Sequence, residues 1–325
     1  MEKVTVVIPN YNGIKYIKDC LESLYAQKEG TCAFRVLVVD NGSTDGSVEF
    51  ARERFPQTQW ILLPENTGFC HAVNVGIQAA KTPYVILLNN DTRVYDGFVE
   101  GLYQAIEKKP DIFSVSARML MWDRPELLDD AGDRYCALGW AYARGKGRRA
   151  ADYESSVEIF SACGGAAIYR KSVFEEIGLF DELHFAYLED LDIGYRARIY
   201  GYHNYYEPSA QVLHFGSAST GSRYNPRKTE LSSANNIYVI GKNMPLVQWL
   251  WNLPFLCMGF LIKLLFFCKK RMGILYLRGL WQGLLRCFSR QGRSHKVKFR
   301  WRHFKNYLVI QGQLYVNMVR IIMKS

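Results

Sequence analysis

Polar side chains that could bind a metal or a phosphate follow three short apolar runs of the sequence. The stretch "YVILLNNDT" (84–92) passes from five strand-forming residues to two amides, the single carboxylate of Asp91 and a hydroxyl. "PNYNG" (9–13) and "DNGSTDGS" (40–47) follow two other apolar runs in the same way. Asn and Asp favour turns, which would account for each segment alone. The alternative is one shared site, because open α/β sheets bind ligands at the carboxyl ends of their strands.

A group of acidic residues lies in "YLEDLDIGYRARIYG" (187–201), where Glu189, Asp190 and Asp192 fall within four residues. The segment is predicted to form a helix that ends at Gly201. Carboxylates in a first helical turn can simply complement the helix dipole, but three of them exceed what capping requires. Clustered carboxylates repel one another, so one pKa rises, which suits a general base.

Glycine and histidine segments supply the remaining candidate ligands. In "NTGFCHAVNVG" (66–76), Gly68 would let backbone amides approach a phosphate at the start of a helix. His214 ends the apolar stretch of "VLHFGSAST" (212–220). An isolated histidine is usually a packed residue, but beside Asp91 it becomes a second metal ligand. The sequence holds neither the G-x-x-x-x-G-K-[ST] phosphate loop nor a G-x-G-x-x-G fingerprint after its first strand, so the site belongs to neither common nucleotide-binding class.

The elements that position these residues alternate between strands and helices. Residues 4–8, 35–39 and 84–88 are apolar and rich in β-branched side chains without alternation, as in strands covered on both faces. Helical patterns occur at residues 14–24, 48–55, 69–80 and 97–108. This order predicts a doubly wound, mainly parallel α/β sheet. Residues 122–160 show no clear period and are predicted to form an irregular insertion that shapes the acceptor side of a substrate site, or else a plain surface excursion.

The charges divide the 325-residue chain into two parts. The chain carries a net charge of +10, yet residues 242–325 hold 16 Lys and Arg and no Asp or Glu. Residues 1–241 hold the other 25 basic residues against all 31 acidic ones, a net charge of −6. We therefore predict a mildly acidic globular domain over 1–241 and a basic, apolar region over 242–325. The basic region would contact a polyanionic surface, either nucleic acid or anionic lipid.

Cysteine usage and the amino terminus indicate a cytoplasmic protein. The eight cysteines form no C-x-x-C pair and no zinc-type cluster with histidine, so we expect reduced thiols that act as small buried hydrophobes. The first strand begins within three residues of Met1, which leaves no room for the charged and apolar regions of a signal peptide.

Seven segments in order make the sequence similar to family 2 inverting glycosyltransferases with the GT-A fold, and in particular to the bacterial rhamnosyltransferase-like enzymes. The segments are "VTVVIPNYNG", "VLVVDNGSTDGS", "NTGFCHAVNVGI", "YVILLNNDT", "CGGAAIYRKSVFEEIGLFDE", "YLEDLDIGYRARIYGY" and "HFGSAST". The resemblance covers roughly residues 3–220. It implies a GT-A, Rossmann-like α/β fold, in which a mainly parallel mixed sheet is flanked by helices and followed by a C-terminal amphipathic helical tail.

The resemblance also implies a role for each candidate site residue. Asp190 would be the catalytic base, with Glu189 and Asp192 around the acceptor and the donor sugar. Asp91 would coordinate a divalent cation, Mg²⁺ or Mn²⁺, with help from His214. The nucleotide-sugar donor would be bound by Pro9, Tyr11, Asn12, Asp40, Asn41, Asn66, Gly68, Asn90, Gly164 and Gly165.

One residue departs from the family pattern. The metal motif of the family is usually Asp-x-Asp, and here its first position is Asn89. One carboxylate fewer weakens the protein's own hold on the cation. We therefore expect oxygens of the donor diphosphate to supply much of the coordination.

The implied activity is transfer of a sugar from a nucleotide-sugar donor to a lipid-linked or polysaccharide acceptor in cell-surface glycan synthesis. The subgroup favours dTDP-L-rhamnose as the donor, followed by UDP-sugars. Two alternatives remain. One is a catalytically idle relative that binds nucleotide sugars or scaffolds other enzymes at the membrane, supported by Asn89 alone. The other is a nucleic-acid-binding protein, which would leave residues 1–220 unexplained, so we expect no nucleic-acid partner.

The tail combines an apolar segment with basic flanks. Residues 246–268 are long enough to span a bilayer, but a single span would place "KKR" (269–271) across the membrane from the nucleotide sugar. An interfacial or re-entrant hairpin avoids this conflict. Residues 274–288 carry an apolar stripe beside a basic one, as in a helix lying in the headgroup layer. We predict a peripheral or monotopic protein on the anionic cytoplasmic face of the cell membrane; a helix packed on the domain or on a homodimer partner is the alternative.

Overall fold

The computed structural model describes residues 2–27, 32–216 and 225–323, so the end of the "HFGSAST" segment lies outside the described part. Among the described residues, ten strands form one mixed sheet and two form a separate hairpin. The strands are β1 (Val4–Asn10), β2 (Phe34–Asn41), β3 (Gln59–Leu63), β4 (Tyr84–Leu88), β5 (Thr92–Val94), β6 (Ile112–Met121), β7 (Arg124–Asp130), β8 (Asp133–Cys136), β9 (Trp140–Ala143), β10 (Val157–Ile159), β11 (Ala166–Arg170) and β12 (His203–His214). The helices are α1 (Ile17–Tyr25), α2 (Ser47–Arg54), α3 (Phe69–Ala79), α4 (Phe98–Glu107), α5 (Lys171–Ile177), α6 (Glu189–Tyr200), α7 (Pro226–Asn243), α8 (Leu246–Lys269), α9 (Gly273–Phe288), α10 (Arg290–Ser294) and α11 (Phe304–Ile322).

The central sheet runs in the order β10–β12–β6–β11–β4–β1–β2–β3, with β5 paired to β12 and β7 paired to β6. β1 pairs in parallel with β2 and β4, and β2 pairs in parallel with β3, whereas β11 lies antiparallel between β4 and β6. The predicted α/β fold with a mainly parallel, mixed sheet is confirmed. The carboxyl ends of β1, β2 and β4 share one edge, which carries Asn12, Asn41 and Asp91.

Both faces of the sheet are covered, which explains the apolar runs without alternation. Val6 and Ile8 of β1 pack in one core cluster, whereas Val7 between them packs in a second cluster. All three side chains are fully buried. Leu21 of α1 belongs to the first cluster and Val73 of α3 to the second, so helices close the core on both sides.

Residues 122–160 are more regular than the sequence indicates. They contain β7, the β8–β9 hairpin, a short 3₁₀ helix and β10, and both β7 and β10 extend the central sheet. The prediction of an irregular segment is therefore wrong. The strands are short, and the β6–β7 register shifts between Met119 and Leu120, so no repeating apolar period marks them in the sequence.

The basic tail packs on the sheet domain and is not a separate unit. A third core cluster joins Tyr195 of α6 to Leu256 of α8 and includes residues of α7 and α11. The predicted boundary at 241/242 falls inside α7. Lys242 itself is buried, and its Nζ lies 2.7 Å from Asp181 Oδ2. The charge composition changes at this point of the chain, but the packing continues across it.

Small residues let α9 approach α7 closely. A Cβ on Gly279 would lie 1.9 Å from Ser233 Oγ, and a Cβ on Gly283 would lie 2.3 Å from the carbonyl oxygen of Ala234. Either side chain would push the two helices apart. The glycines are therefore what allows α9 to lie directly against α7.

Helices α8 and α9 turn mainly polar or small residues inward and most of their large apolar residues outward. On α8, Gln248 and Asn252 are buried, and Gln248 Oε1 accepts a hydrogen bond of 2.8 Å from the Tyr195 hydroxyl. The exposed apolar side chains of the two helices include Leu246, Val247, Trp249, Leu250, Trp251, Met258, Leu261, Ile262, Leu265, Ile274, Leu277, Trp281, Leu284, Leu285 and Phe288. We call this group the apolar surface.

The predicted hairpin of the tail takes the form of two helices. α8 continues through Pro254 to Lys269, and the chain then turns so that α9 packs against α8. The "KKR" segment (269–271) lies at this turn. Within the described chain, α8 is the one helix long and apolar enough to cross a membrane, judged by length and composition alone.

Candidate active site

A buried amide, that of Asn10 at the end of β1, organises the carboxyl edge of the sheet. Its Nδ2 donates to Asp40 Oδ1 at 2.8 Å and to Ser47 Oγ at 3.0 Å. Its Oδ1 accepts a hydrogen bond of 2.7 Å from Asn90 Nδ2. Asn10 therefore joins the ends of β1, β2 and β4. Sequence reasoning missed it, although it lies inside the turn-forming segment 9–13.

Three residues predicted to bind the donor surround Asn10. Pro9 is still part of β1 and pairs with Val39 of β2. Tyr11 is 43% exposed and can contact a ligand. Asn12 has a φ of +50°, and its Oδ1 accepts a hydrogen bond of 2.9 Å from the backbone N–H of Thr44. This bond holds the turn after β1 against the loop after β2.

Asn41 connects the end of β2 to the loop that precedes α3. Its Nδ2 donates to Asn66 Oδ1 at 3.2 Å and to the carbonyl of Gly68 at 3.1 Å, and its Oδ1 accepts from the N–H of Thr67 at 3.0 Å. The Gly68 N–H also donates to Asn66 Oδ1, at 3.0 Å. These bonds place the amino end of α3, which is a favourable position for an anion, at the same edge of the sheet.

The two predicted metal ligands, Asp91 and His214, lie together. His214 Nε2 is 3.4 Å from Asp91 Oδ1, because β12 pairs with β5 and sets His214 opposite Thr92. On the other side of the ring, His214 Nδ1 is 2.7 Å from Asp129 Oδ2. Asp129 lies in β7 and also pairs with Lys146. Sequence reasoning missed Asp129, because its segment lacks a pattern that ties it to the sheet.

The two carboxylates beside His214 attract positive charge. Burial opposes protonation of the imidazole, but hydrogen bonds with Asp129 and Asp91 outweigh burial and raise the pKa of His214 to about 9. Burial also opposes ionisation of Asp129, whose pKa His214 and Lys146 nevertheless lower to about 2. A carboxylate oxygen and an imidazole nitrogen are both ligands for divalent cations. The residues at this position fit a metal when His214 is neutral, so a divalent cation would take the place of the proton on Nε2.

Asp190 lies at the start of α6, against the Gly164–Gly165 turn. A Cβ on Gly164 would lie 2.6 Å from Asp190 Oδ1, so glycine leaves the room that this carboxylate needs. The Asp190 side chain is partly exposed, but its Oδ1 atom is buried and has no hydrogen-bond partner among the described residues. Burial and the charge of Glu189 raise the pKa of Asp190 well above its ordinary value. The Asn89 N–H donates to the Gly165 carbonyl at 2.9 Å and ties this turn to the end of β4.

Other carboxylates surround Asp190. Glu189 is buried, and burial, followed by the charges of Asp133 and Asp192, raises its pKa to about 7. Burial raises the pKa of Asp130 to about 6. Asp130 and Asp133 flank the turn between β7 and β8, so the insertion adds two acidic groups that sequence reasoning missed.

Asp192 points into the interior of the domain. It is fully buried, its Oδ2 accepts hydrogen bonds from Arg196 Nε at 3.0 Å and Lys242 Nζ at 2.8 Å, and its Oδ1 accepts from Asn243 Nδ2 at 2.8 Å. Burial opposes its ionisation, but Arg196 and Lys242 hold the pKa of Asp192 well below its ordinary value. The expected contact of Asp192 with the acceptor or the donor sugar does not fit this environment, because both oxygens are already bonded. Asp192 instead fixes α6 to α7.

Asp192 also belongs to a compact group of acidic and imidazole side chains. Within the described ranges, Asp181, His184 and Asp192 have potential ligand atoms within 4.8 Å of one another, so this group could hold a metal. Lys242 Nζ, however, lies 2.7 Å from Asp181 Oδ2 and 2.8 Å from Asp192 Oδ2. A metal bound there would have to displace the lysine from both carboxylates.

The turn between β7 and β8 connects the pair of Asp91 and His214 to the carboxylates around Asp190. Asp129 bonds to His214, and the next residue, Asp130, raises the pKa of Asp190 through its charge. Asn90 connects the same region to Asn10. One edge of the sheet therefore carries the residues predicted to bind the donor, the pair of Asp91 and His214, and Asp190. Asp192 is not among them.

Comparisons with known proteins show the family to which the chain is similar. The family model for Glycosyl transferase family 2 matches residues 5–178. An N-acetylglucosaminyl-diphospho-decaprenol L-rhamnosyltransferase of Mycobacterium tuberculosis is 30% identical over 244 residues, which are 66% of this chain and 77% of that protein. The glycosyltransferase GlyG of Streptococcus pneumoniae is 28% identical over 191 residues, which are 57% of this chain and 60% of that protein.

Solved structures share the fold. GalNAc-T7, crystallised with UDP, GalNAc and Mn²⁺, superimposes with a TM-score of 0.60 at 16% identity and covers 74% of this chain and 48% of its own. The mannosyltransferase PcManGT from Pyrobaculum calidifontis, in complex with GDP-Man and Mn²⁺, superimposes with a TM-score of 0.53 at 15% identity. The match covers 95% of this chain and 86% of PcManGT. The expected GT-A fold is confirmed.

The family match extends over more than half of the chain, and its residues include the ends of β1, β2 and β4 and the turn beside Asp190. The expected family and the expected enzyme class are therefore confirmed. This chain is a glycosyltransferase and belongs to glycosyl transferase family 2.

Proposed function

We propose that this glycosyltransferase moves a sugar from a nucleotide-sugar donor to a hydroxyl group of a lipid-linked or polysaccharide acceptor, with inversion at the anomeric carbon. The proposed donor is dTDP-L-rhamnose, with a UDP-sugar as the second candidate. The name of the mycobacterial relative, which specifies L-rhamnosyl transfer and a diphospho-decaprenol acceptor, supports an L-rhamnosyl donor and a lipid-linked acceptor. The product would belong to a cell-surface glycan.

The observation that carries the proposal is the environment of Asp190. A general base needs a carboxylate that an incoming hydroxyl can reach and that retains an unused acceptor oxygen. Asp190 as a residue is partly exposed, and its Oδ1, although buried, lacks a partner among the described residues, so an acceptor hydroxyl is proposed to approach through the exposed part of the side chain. Both oxygens of Asp192, by contrast, are occupied. A raised pKa also brings Asp190 closer to the basicity that proton transfer near neutral pH requires.

In the proposed reaction, the acceptor hydroxyl attacks the anomeric carbon from the face opposite the nucleotide. The bond between the anomeric carbon and the diphosphate oxygen breaks, and the hydroxyl proton passes to Asp190. General-base help of this kind contributes about 10²–10⁴-fold to the rate. Glu189, with a pKa of about 7, is partly protonated near neutral pH, which limits repulsion around Asp190.

The donor is proposed to lie along the carboxyl edge of the sheet. The turn after β1, with Tyr11 and Asn12, would contact the nucleoside. Asp40 at the end of β2 is buried and already accepts hydrogen bonds from Asn10 and Ser43, so its proposed contact with the nucleoside would be an additional one. Asn41, Asn66 and Gly68 lie at the amino end of α3, where backbone N–H groups favour a diphosphate. The remaining donor residues would be Pro9, Asn90, Gly164 and Gly165.

Asp91 and His214 are proposed to hold the divalent cation, Mg²⁺ or Mn²⁺. A cation at this position would stabilise the negative charge that develops on the departing nucleoside diphosphate. Asp129 bonds to Nδ1 of His214 and leaves Nε2 facing Asp91, which supports this assignment. The group of Asp181, His184 and Asp192 is the weaker candidate, because Lys242 already lies between its carboxylates.

The enzyme is proposed to work on the anionic cytoplasmic face of the cell membrane as a peripheral or monotopic protein. The apolar surface supports this placement, because α8 buries Gln248 and Asn252 and exposes most of its apolar residues, the reverse of a helix on a water-soluble domain. Exposed apolar areas of this kind mark contacts with lipid or protein. The 16 basic residues and the absence of acidic ones in 242–325 favour anionic lipid over a second copy of the chain.

One assay tests the proposed reaction. Purified enzyme is incubated with dTDP-L-rhamnose or a UDP-sugar, Mn²⁺ and a polyprenyl-diphosphate-linked sugar, and both nucleoside diphosphate release and the product anomer are measured. We expect acceptor-dependent release and an inverted anomer. Binding of the nucleotide sugar without release would support the catalytically idle relative instead, and a retained anomeric configuration would contradict the role of Asp190.

A further inference from the structure

A strained segment connects the donor side of the site to the helix that carries Asp190. We call residues 184–188 the strap. Phe185, Tyr187 and Leu188 have positive φ values of 60°, 72° and 65°. Residues other than glycine rarely adopt such values, and they keep them only where their surroundings hold the backbone. The conformation of the strap therefore depends on contacts outside the strap.

The strap contacts both functional regions. The Phe185 carbonyl accepts a hydrogen bond of 3.3 Å from the Cys70 N–H in the first turn of α3, and the Phe185 ring lies against Gly68. At its other end, the strap runs directly into α6, two residues before Asp190. A displacement of the strap would therefore move Asp190 relative to the donor side.

One buried side chain on α7, that of Asn235, binds the strap at three points. Its Nδ2 lies at hydrogen-bond distance from the backbone carbonyls of His184 at 2.9 Å, Ala186 at 2.9 Å and Tyr187 at 2.8 Å, so its two hydrogens are shared among three acceptors. Asn235 is fully buried. Three consecutive or nearly consecutive carbonyls thus converge on one amide nitrogen, which fixes the direction of the strap.

A residue of the tail, Arg286 on α9, sets the orientation of this amide. Its Nη1 donates to Asn235 Oδ1 at 2.5 Å. A guanidinium can only donate hydrogen bonds, so the amide oxygen must face α9 and the amide nitrogen must face the strap. Gly283, less than one helical turn before Arg286, lies against Ala234 and brings α9 within reach.

From this arrangement we infer that Asn235 and Arg286 are positioning residues for the glycosyl transfer, and that α9 completes the active site. Asn235 holds the strap so that the first turn of α6 presents Asp190 at the cleft, and Arg286 keeps the Asn235 amide turned toward the strap. The inference rests on the proposed function of Asp190 as the base. It assigns the amphipathic helix a part in the reaction as well as in membrane contact.

The substitution Asn235→Asp tests this most sharply. It keeps the size of the side chain and the partner of Arg286 but removes the donors to the strap. We expect kcat to fall by roughly 10–100-fold, because a small displacement of a reacting group has effects of this size. The KM for the donor should change little by comparison, and amide hydrogen exchange in residues 185–190 should become faster.

Asn236→Asp is the matched control, because Asn236 is also buried on α7 but donates to the Gly139 carbonyl, away from the strap. Both variants lose stability, and thermal unfolding measures how much. A normal kcat for the folded fraction of Asn235→Asp, or an equal loss of kcat in both variants, would overturn the inference.

Arg286 provides a second test that does not alter the strap directly. Arg286→Lys retains a donor for Asn235 Oδ1, whereas Arg286→Met does not. We expect Arg286→Lys to preserve most of kcat and Arg286→Met to lower it. A binding titration should show that the donor affinity is unchanged in both variants, so that weaker donor binding is excluded as the cause. Equal activity of the two variants would contradict the role of Arg286. Asp190→Asn is assayed in parallel: if that variant stays fully active, the assignment of the base fails, whereas an inactive Asp190→Asn beside a fully active Asn235→Asp refutes the positioning role alone.

Discussion

Asp129 Oδ2 lies 2.7 Å from His214 Nδ1, so a carboxylate of the inserted segment fixes the imidazole at the end of β12. The second ring nitrogen, Nε2, is thereby left 3.4 Å from Asp91 Oδ1. Carboxylates that bond to the outer nitrogen of a metal-binding histidine set its orientation and raise its basicity. The insertion would therefore be part of the proposed cation site, which neither its composition nor its spacing indicates.

Replacing Asp129 with Asn should weaken Mn²⁺ binding in the presence of nucleoside diphosphate by roughly 10–100-fold. The physical reason is that the imidazole loses the partner that holds Nε2 toward Asp91. Free Mn²⁺ measured by electron paramagnetic resonance gives the affinity without reference to activity. Asp123→Asn, an exposed residue of the same insertion, is the control. Equal Mn²⁺ affinities for the two variants would refute the role of Asp129.

Asp192→Asn should destabilise the fold strongly. The change leaves the buried charges of Arg196 and Lys242 without their shared carboxylate, which costs about 3–5 kcal/mol of unfolding free energy. Urea unfolding followed by circular dichroism measures the loss. The same substitution at Asp190, whose Oδ1 lacks a partner among the described residues, should cost far less. Equal losses at the two positions would be inconsistent with the different environments of Asp190 and Asp192.

Glu189→Gln should stabilise the protein in a pH-dependent manner. The folded protein holds the Glu189 proton up to a pKa of about 7, above the ordinary value of 4.5. Between these values the folded state binds more protons than the unfolded state, so the unfolding free energy of the wild type falls as pH rises. Glutamine does not ionise and avoids this fall.

The unfolding free energy of Glu189→Gln, compared with that of the wild type, should therefore increase between pH 4.5 and pH 7 and stay constant above pH 7. The increase over the difference measured below pH 4.5 should be about 1–3 kcal/mol. Unfolding free energies measured from pH 4 to pH 8 test this. Glu154→Gln, at an exposed position, is the control. A gain that is constant across this range would argue against the elevated pKa of Glu189.

Ile274→Ser combined with Trp281→Ser should reduce binding to vesicles that contain phosphatidylglycerol. Both side chains are largely exposed, at 83% and 60%, so their loss should leave the unfolding free energy nearly unchanged. Flotation at low and high salt separates the apolar contribution from the charged one, because salt screens the basic residues. Leu62→Ser, an exposed apolar residue on β3, is the control. Unchanged flotation together with a change in oligomeric state would identify the surface as a homodimer contact.

The parts of the fold that follow from local pattern were predictable. The apolar runs of β1, β2 and β4 and the glycines that end α5 and α6 place the sheet and its edge, because strands buried on both faces need such runs. The packing of the tail was not predictable, because a helix with an apolar face has the same sequence pattern whether lipid or protein covers that face. The polar residues Gln248 and Asn252 carry the distinguishing information, and only the structure shows that they face the domain.

The candidate site was predictable at the ends of the strands and less so elsewhere. Asp190 and Asp192 look equivalent in the sequence, yet residues two apart on a helix point about 200° away from each other, so one faces the cleft and the other the interior. Asn10 lay within a recognised segment but resembled an ordinary strand end. Asp129, Asp130 and Asp133 depend on the β6–β7 pairing and its register shifts, which no local pattern encodes.

The central claim is that Asp190 removes the proton of the acceptor, and the rate of a single turnover tests it most directly. Asp190→Asn is mixed in excess with radiolabelled dTDP-L-rhamnose, Mn²⁺ and acceptor, after a titration has established that the variant binds the donor as the wild type does. We predict a transfer rate lower by about 10²–10⁴-fold with unchanged donor affinity. A single-turnover rate equal to that of the wild type would contradict the claim.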